Sequence, residues 1–228
     1  METISGHQQA FPMKKKQGSS QNNKWEDHYA RKARKENFPA RSVYKLQEIQ
    51  EKYRLLQKGN RILDLGCSPG SWLQYTATLV GPQGRIVGID KKKVTLQLPP
   101  HVTVHTGDIF SIQSLLEQEE MIHPFDIVLS DMAPDTTGNK FVDAARSLAL
   151  CEAAFDIARH HLKSGGSFVC KIFQGEDFKQ FTDSIQKKFH KSKIYKPKSC
   201  RKASKEIYII GVDKKQEEIC PDTASGHP

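Results

Sequence analysis

Between residues 61 and 212 the chain alternates short apolar runs with stretches of helical periodicity, and that alternation leaves few folds open. Arg61–Leu65, Arg85–Asp90, Val102–Thr106, Phe125–Ser130 and Ser167–Phe173 each read as a strand. Trp72–Val80, Ile112–Glu120, Lys140–Leu162 and Asp177–Phe189 read as helices between and after them. Within Lys140–Leu162, the residues Leu148, Cys151, Phe155, Ala158 and Leu162 recur at helical spacing, and Gly165 with Gly166 is expected to stop that helix. Ile194–Tyr195 and Ile207–Val212 read as a closing strand pair. Strands this apolar must be covered on both sides. The expected architecture is therefore α/β, a mostly parallel seven-stranded sheet with helices on both faces.

Charge separates this scaffold from its flanks. The 228 residues carry 35 Lys+Arg against 26 Asp+Glu, a net charge of +9. Residues 13–45 contribute ten Lys/Arg and three acids, and residues 187–205 contribute nine Lys/Arg and no acid. Together these two segments carry +16, so the rest of the chain carries −7. An acidic body wearing two basic segments is built to meet a polyanion, and nucleic acid is the expected partner. Trp25, Tyr29 and Phe38 interleave with Arg31, Lys32, Arg34 and Lys35, a pattern that serves either to stack on unpaired bases or to dock the arm on the core. Residues 1–23 are expected to form a disordered basic tail, 24–213 a single domain, and 214–228 a frayed tail. No apolar run reaches the roughly 18–20 residues of a membrane span, and Met1–Lys16 lacks the apolar core of a signal peptide. Cys67, Cys151, Cys170, Cys200 and Cys220 are scattered, which points to a reducing, cytoplasmic setting and to no metal site.

Asp64-Leu-Gly-Cys-Ser-Pro-Gly-Ser-Trp72 is the strongest local signal. It follows the first strand and opens the first helix, where Gly66, Pro69, Gly70 and Ser71 permit a tight turn and close backbone approach to a ligand. The spacing is neither G-x-G-x-x-G nor a P-loop, so a dinucleotide and a nucleoside triphosphate are both disfavoured. Asp90 closes the second strand, where a carboxylate accepts ribose hydroxyls, and Asp108 follows the third, where one accepts an adenine amino group. Each Asp alone reads as a turn or helix cap. Together, Asp64, Asp90 and Asp108 on three successive strands describe a pocket for an adenosine without a pyrophosphate, and S-adenosylmethionine is the expected cofactor. Asp131 and Lys171 end the next two strands, and a Lys at the lip of a buried strand is rarely there unpaired. Lys45 precedes the first strand and Glu206 opens the last. His160 and His161 close a helix, where imidazolium suits the dipole, and Cys67 has no base partner in sequence.

The set Ser42-Val-Tyr-Lys45, Asp64–Trp72, Leu129-Ser-Asp131-Met-Ala-Pro134, Lys171-Ile-Phe-Gln-Gly175 and Ser204-Lys-Glu206 resembles the FtsJ/RrmJ family of RNA ribose 2′-O-methyltransferases, over Trp25 to Val212. The resemblance implies a Rossmann-like methyltransferase fold that uses S-adenosylmethionine. It implies a catalytic tetrad of Lys45, Asp131, Lys171 and Glu206, and cofactor contacts at Gly70, Trp72, Asp90, Asp108 and Asp131. Ser71 departs from the family, many of whose members carry a second glycine there. The implied reaction is 2′-O-methylation of a uridine in large-subunit ribosomal RNA by a monomer. Lys171 would act as proton acceptor or would orient the hydroxyl. Methylation of tRNA and a non-catalytic role in ribosome assembly are the alternatives; a small-molecule acceptor leaves the basic segments unexplained.

Overall fold

In this computed structural model residues 21–112, 124–201 and 203–216 are described. Seven strands form one sheet: β1 (Arg61–Leu65), β2 (Arg85–Asp90), β3 (Val102–Thr106), β4 (Phe125–Ser130), β5 (Leu162–Phe173), β6 (Phe189–Tyr195) and β7 (Glu206–Lys214). Their order is β3-β2-β1-β4-β5-β7-β6. The first five are parallel, and β7 lies antiparallel between β5 and β6. The helices are α1 (Gln21–Lys35), α2 (Val43–Tyr53), α3 (Ser71–Val80), α4 (Lys140–His161) and α5 (Phe178–Lys188), with a short 3-10 turn at Ile109–Ser111. The mostly parallel seven-stranded sheet is the one expected, while the helix read at Ile112–Glu120 falls almost wholly outside the described residues.

The sheet sorts its strand residues by parity, as alternate side chains must. Leu63, Leu65, Val128, Phe168, Cys170 and Ile172 pack on one face against α4 and α5. Ile62, Ile127, Leu129, Val169 and Tyr208 pack on the other, against Leu46 and Ile49 of α2 and Leu73, Ala77 and Val80 of α3. That second face bears on function, because the parity that buries Val169 against α2 also turns Lys171 towards it.

Three local expectations need correcting. Gly165 and Gly166 do not stop α4, which ends at His161. Leu162 already pairs with Phe125, and the register then jumps to Ser167 opposite Ile127, so both glycines lie in an irregularity within β5. Gly165 has φ of +79°, which glycine adopts without steric cost. Secondly, the imidazole of His161 is pushed down by burial and then by His160 and Lys214, which disfavours imidazolium at the helix end. The buried Lys214 ammonium takes that place, donating to the carbonyls of Leu162 (2.8 Å) and Arg159. Lys214 thus belongs to β7 rather than to a frayed end, while residues 217–228 lie outside the described residues. Thirdly, helix α1 begins at Gln21, inside the stretch expected to be a tail; residues 1–20 lie outside the described residues.

The basic arm docks. Tyr29 and Phe38 pack on a cluster of Ala33, Val43 and Tyr44, and the Tyr29 and Tyr44 ring centroids are 5.3 Å apart. Among the described residues no helix is long and apolar enough to cross a membrane.

Candidate active site

Backbone geometry at the end of β1 fixes the cofactor loop. Gly66 has φ of +78°, and a Cβ there would stand 2.3 Å from Met132 Cγ, so no other residue fits without displacing the Asp131–Met132 segment. Its N–H and that of Cys67 donate to the Ile89 carbonyl at 2.8 and 3.3 Å. Asp90, at the end of β2, accepts from the backbone N–H of Ser68 (2.9 Å) and of Lys92 (2.7 Å). A carboxylate has about four acceptor positions, so capacity for two hydroxyls remains. A cavity of about 540 Å³ opens here, lined by Gly66, Ser68, Asp90, Phe110, Asp131 and Arg146 among others. That volume lies within the range of small-molecule sites.

The sequence-derived cofactor residues divide around this cavity. Gly66, Asp90 and Asp131 line it; Asp64, Pro69, Gly70, Ser71, Trp72 and Asp108 do not. Asp108 stands at its edge beside Gly107 and Ile109, caps the 3-10 turn through Phe110 N–H (3.2 Å) and pairs with Lys91 (2.9 Å). The Lys91 hydrogen bond and then the Phe110 N–H hold its carboxyl below the ordinary range. Ser71 and Trp72 turn away from the cavity and brace the segment before α2. Ser71 Oγ accepts from Ala40 N–H (2.7 Å), and Trp72 Nε1 donates to the Ser42 carbonyl (2.9 Å). Asp64 is sealed inside the sheet between Gly88 and Leu129, and neither carboxylate oxygen has a hydrogen-bond partner among the described residues. Burial first, then Asp131 and Asp90, push its pKa well up, so it is held as the neutral acid.

Four separate elements bring the lysines and their carboxylates together. Lys171 lies opposite Tyr208 in the β5–β7 register and Phe173 lies opposite Glu206, so Lys171, Tyr208 and Glu206 share the sheet face that α2 covers. Asp131 follows the last residue of β4, and Lys45 enters from α2. Lys45 Nζ meets Glu206 Oε2 at 3.0 Å, and Lys171 Nζ meets Asp131 Oδ1 at 3.0 Å while also donating to the Asp131 carbonyl. Both lysines are buried. Burial works against the Lys45 charge, but Asp131 and Glu206 outweigh it and raise its pKa. Burial likewise works against ionised Asp131, but Lys171 and Lys45 outweigh it and lower its pKa. Lys45 and Asp131 are therefore both ionised at neutral pH.

Sequence reasoning missed a fifth member. Tyr208, fully buried, donates its O–H to Asp131 Oδ1 at 2.5 Å, and its ring lies 6.1 Å from that of Trp72. The signal was there: Tyr208 follows Glu206 by two residues in a strand, and so shares its face. Burial and then Asp131 push its phenol far above the ordinary range, so it stays a donor. The Cys200 thiol lies against Glu206 and is pushed up to about 12 by burial and then by that carboxylate. Cys67, also buried, is pushed up by burial and then by Asp64, which leaves it inert as a nucleophile.

Sheet order, Gly loop and strand-end acids define a Rossmann-like methyltransferase fold. A sequence profile described as FtsJ-like methyltransferase matches residues 38–214, and the chain belongs to that family. It is 59% identical over 193 residues to a protein of Desulforapulum autotrophicum named ribosomal RNA large subunit methyltransferase E, covering 85% of this chain and 95% of that one. A like-named protein of Desulfosudis oleivorans is 52% identical over 204 residues, covering 88% and 97% of the two chains. Among solved structures, a ribosomal RNA methyltransferase of Plasmodium falciparum, described as putative, superposes with a TM-score of 0.68 at 28% identity, over 79% of this chain and all of that one.

Proposed function

We propose that this protein transfers a methyl group from S-adenosylmethionine to the 2′-hydroxyl of a uridine in large-subunit ribosomal RNA, as a cytoplasmic monomer. The buried network Lys45–Glu206 and Lys171–Asp131–Tyr208 beside the 540 Å³ cavity carries the reading. The names of the relatives, with the two basic segments, support the choice of ribosomal RNA.

The residues present suit the cofactor. Asp90 has unused acceptor positions for ribose hydroxyls, Asp108 stands where an adenine amino group would need an acceptor, and Asp131 lies between the cavity and the lysines. Gly66 lets the loop pack directly against Met132 at the cavity wall, where a Cβ would clash. Gly70 and Trp72 would set the position of the loop. When bound, S-adenosylmethionine supplies a methyl group already activated by its sulfonium.

What remains for the protein is alignment and proton management. A lysine ammonium has three hydrogens, and Lys171 directs two to Asp131. The third is left for the ribose oxygen, which it would orient with a lone pair towards the methyl group. As the new O–C bond forms and the methyl–sulfur bond breaks, the hydroxyl proton becomes acidic and passes to water; in the competing form of this scheme neutral Lys171 accepts it. Lys45, charged and tied to Glu206, would hold the ribose or its 3′-phosphate.

The test is methyl transfer from tritiated S-adenosylmethionine to ribosomal subunits lacking the modification, beside tRNA and the Lys171→Ala variant. Label in large-subunit RNA, as a 2′-O-methyluridine and absent with the variant, is expected. Label in tRNA alone moves the target; no label in either RNA, with cofactor bound, overturns the reading.

A further inference from the structure

Helix α2 carries a second charged residue with a different destination. Lys45 turns into the tetrad; Glu48, three residues on, turns to the loop between β6 and β7. Glu48 Oε1 accepts from the backbone N–H of Ser199 at 2.8 Å. Its Oε2 accepts from the backbone N–H of Lys198 at 2.6 Å and from the Tyr195 hydroxyl at 3.3 Å. Arg41, on the segment entering α2, donates through Nη2 to the Ser199 carbonyl at 2.6 Å. Both backbone groups of Ser199 are thus held by residues that flank Lys45.

The loop itself is sorted into an inner and an outer side. Pro197, Ser199 and Cys200 are buried, whereas Lys196, Lys198, Arg201 and Lys205 are exposed. Internal bonds stiffen it: Cys200 N–H to the Pro197 carbonyl (3.1 Å), Ser204 N–H to the Arg201 carbonyl (3.0 Å) and Lys196 Nζ to the Ser204 carbonyl (2.7 Å). Ser204 Oγ then accepts from Glu206 N–H at 3.1 Å, so the loop delivers the tetrad's carboxylate. Residues 187–205 contain no acid, so a carboxylate that fixes this segment must come from elsewhere in the fold.

We propose that Glu48 is a positioning residue for the RNA substrate: it locks the basic loop onto α2 so that Lys196, Lys198, Arg201 and Lys205 meet the phosphates of the strand whose ribose reaches Lys45 and Glu206. The inference rests on the RNA-methylation reading above and adds to it the coupling between the phosphate-binding surface and the reaction centre. A freed loop keeps its charges but spreads them over many positions, so fewer phosphates are neutralised at once.

The experiment is binding of large-subunit RNA by the full chain over a range of salt, with kcat and KM for methyl transfer, in Glu48→Ala and Glu48→Gln. Gln keeps the length and one carbonyl oxygen, so one backbone N–H is left without its acceptor; Ala removes all three bonds. Each phosphate that the protein ceases to neutralise makes the slope of log K against log salt shallower by about 0.7–0.9. Glu48→Ala is expected to neutralise one or two fewer phosphates and to raise the RNA KM about 3–30-fold. Glu48→Gln should fall between Ala and wild type, and cofactor affinity should stay within about twofold. A plain structural anchor lowers the melting temperature but leaves the salt slope unchanged, and that outcome overturns the inference. A fall in cofactor affinity in step with RNA affinity overturns it too, because the change would then be a general distortion. If wild type binds the RNA but methylates nothing, the functional reading fails, while the salt slopes of the variants still decide the role of Glu48.

Discussion

Tyr208→Phe removes one hydroxyl and leaves the ring. The bond removed is the 2.5 Å donation to Asp131 Oδ1, the same oxygen that Lys171 approaches at 3.0 Å. A hydrogen bond to a charged group contributes about 1.5–3 kcal/mol, and a buried, ionised acceptor puts this one in the upper half of that range. If the bond serves only folding, the whole loss appears as a melting temperature lowered by about 5–12 °C for a domain of this size. If it also holds Asp131 and Lys171 in the reacting geometry, kcat falls as well, by up to about 100-fold at one decade per 1.36 kcal/mol. The pH dependence separates the two. The Asp131 carboxyl is depressed, so the stability it contributes is present above its unfolded pKa and is lost as pH falls through its folded pKa. Removing the Tyr208 donor raises that folded pKa, so acid unfolding and the acid limb of the rate profile must both move to higher pH. Stopped methyl-transfer assays from pH 4 to 9, with thermal melts over the same range, give both readings. A variant with wild-type kcat and an unmoved acid limb would refute the reasoning.

Lys171→Ala leaves Asp131 buried without its nearest cation; methyl transfer is expected to fall by at least about 1000-fold with cofactor affinity retained, checked by isothermal titration beside single-turnover kinetics. Gly66→Ala puts a Cβ 2.3 Å from Met132 Cγ at φ of +78°, so it should cost about 1–3 kcal/mol and abolish cofactor binding, measured by melting shift with and without S-adenosylmethionine. Asp64 carries the opposite pH sign to Asp131. Its folded pKa is raised, so the native state holds the extra proton and stability declines as pH climbs from the unfolded pKa of about 3.9 towards the folded one. Asp64→Asn should flatten the fall in melting temperature over that window, and an unchanged slope would place the proton elsewhere.

Most of the parallel strands were legible because each carries a short apolar run bounded by a turn signal, although β3, Val-Thr-Val-His-Thr, alternates apolar with polar residues. β6 was legible only at Ile194–Tyr195, for a physical reason. It is the edge strand, Phe-His-Lys-Ser-Lys-Ile-Tyr, and its burial pattern has one buried residue followed by exposed and half-buried ones. Lysines on an edge block pairing with other chains, and the same lysines erase the strand's hydrophobic signal. The glycines at 165 and 166 misled because β5 starts before them: Leu162 pairs with Phe125, and the backbone then detours before Ser167 resumes the ladder. Asp131 and Lys171 stood out because charge at the end of an apolar run is anomalous, whereas Lys45 and Glu206 joined them only through the family resemblance. Tyr208 is harder to find, since in Ile207-Tyr-Ile-Ile210 it looks like one more strand aromatic and only its two-residue spacing from Glu206 marks it. Asp64 adjoins the glycine loop, which makes it look like a ligand contact, but the alternation of β1 buries it on the face covered by α2 and α3, outside the cavity lining.

Charge placement separates binding from chemistry in this molecule. The tetrad is two cations against two anions, each pair at 3.0 Å, so it adds little net charge to the surface. Isolated exposed pairs of this kind contribute roughly 0–1 kcal/mol, but burial changes the comparison: removing one partner of a buried pair costs about 3–5 kcal/mol, because the other charge is left unpaired. That cost holds Lys45 and Lys171 in register before substrate arrives, so no ordering is left for the reaction step. The cavity presents Asp90 and Asp131, with Asp108 at its edge, but Lys91, Lys92 and Arg146 line it as well, so its charge is mixed. The basic excess of the sequence lies in segments 13–45 and 187–205, which together carry +16. On the reading proposed above, the RNA phosphates would meet the basic segments while the cofactor would sit in the cavity beside Asp90 and Asp131. Neutralising the basic loop should weaken RNA affinity without touching cofactor affinity, whereas neutralising Asp90 should do the reverse.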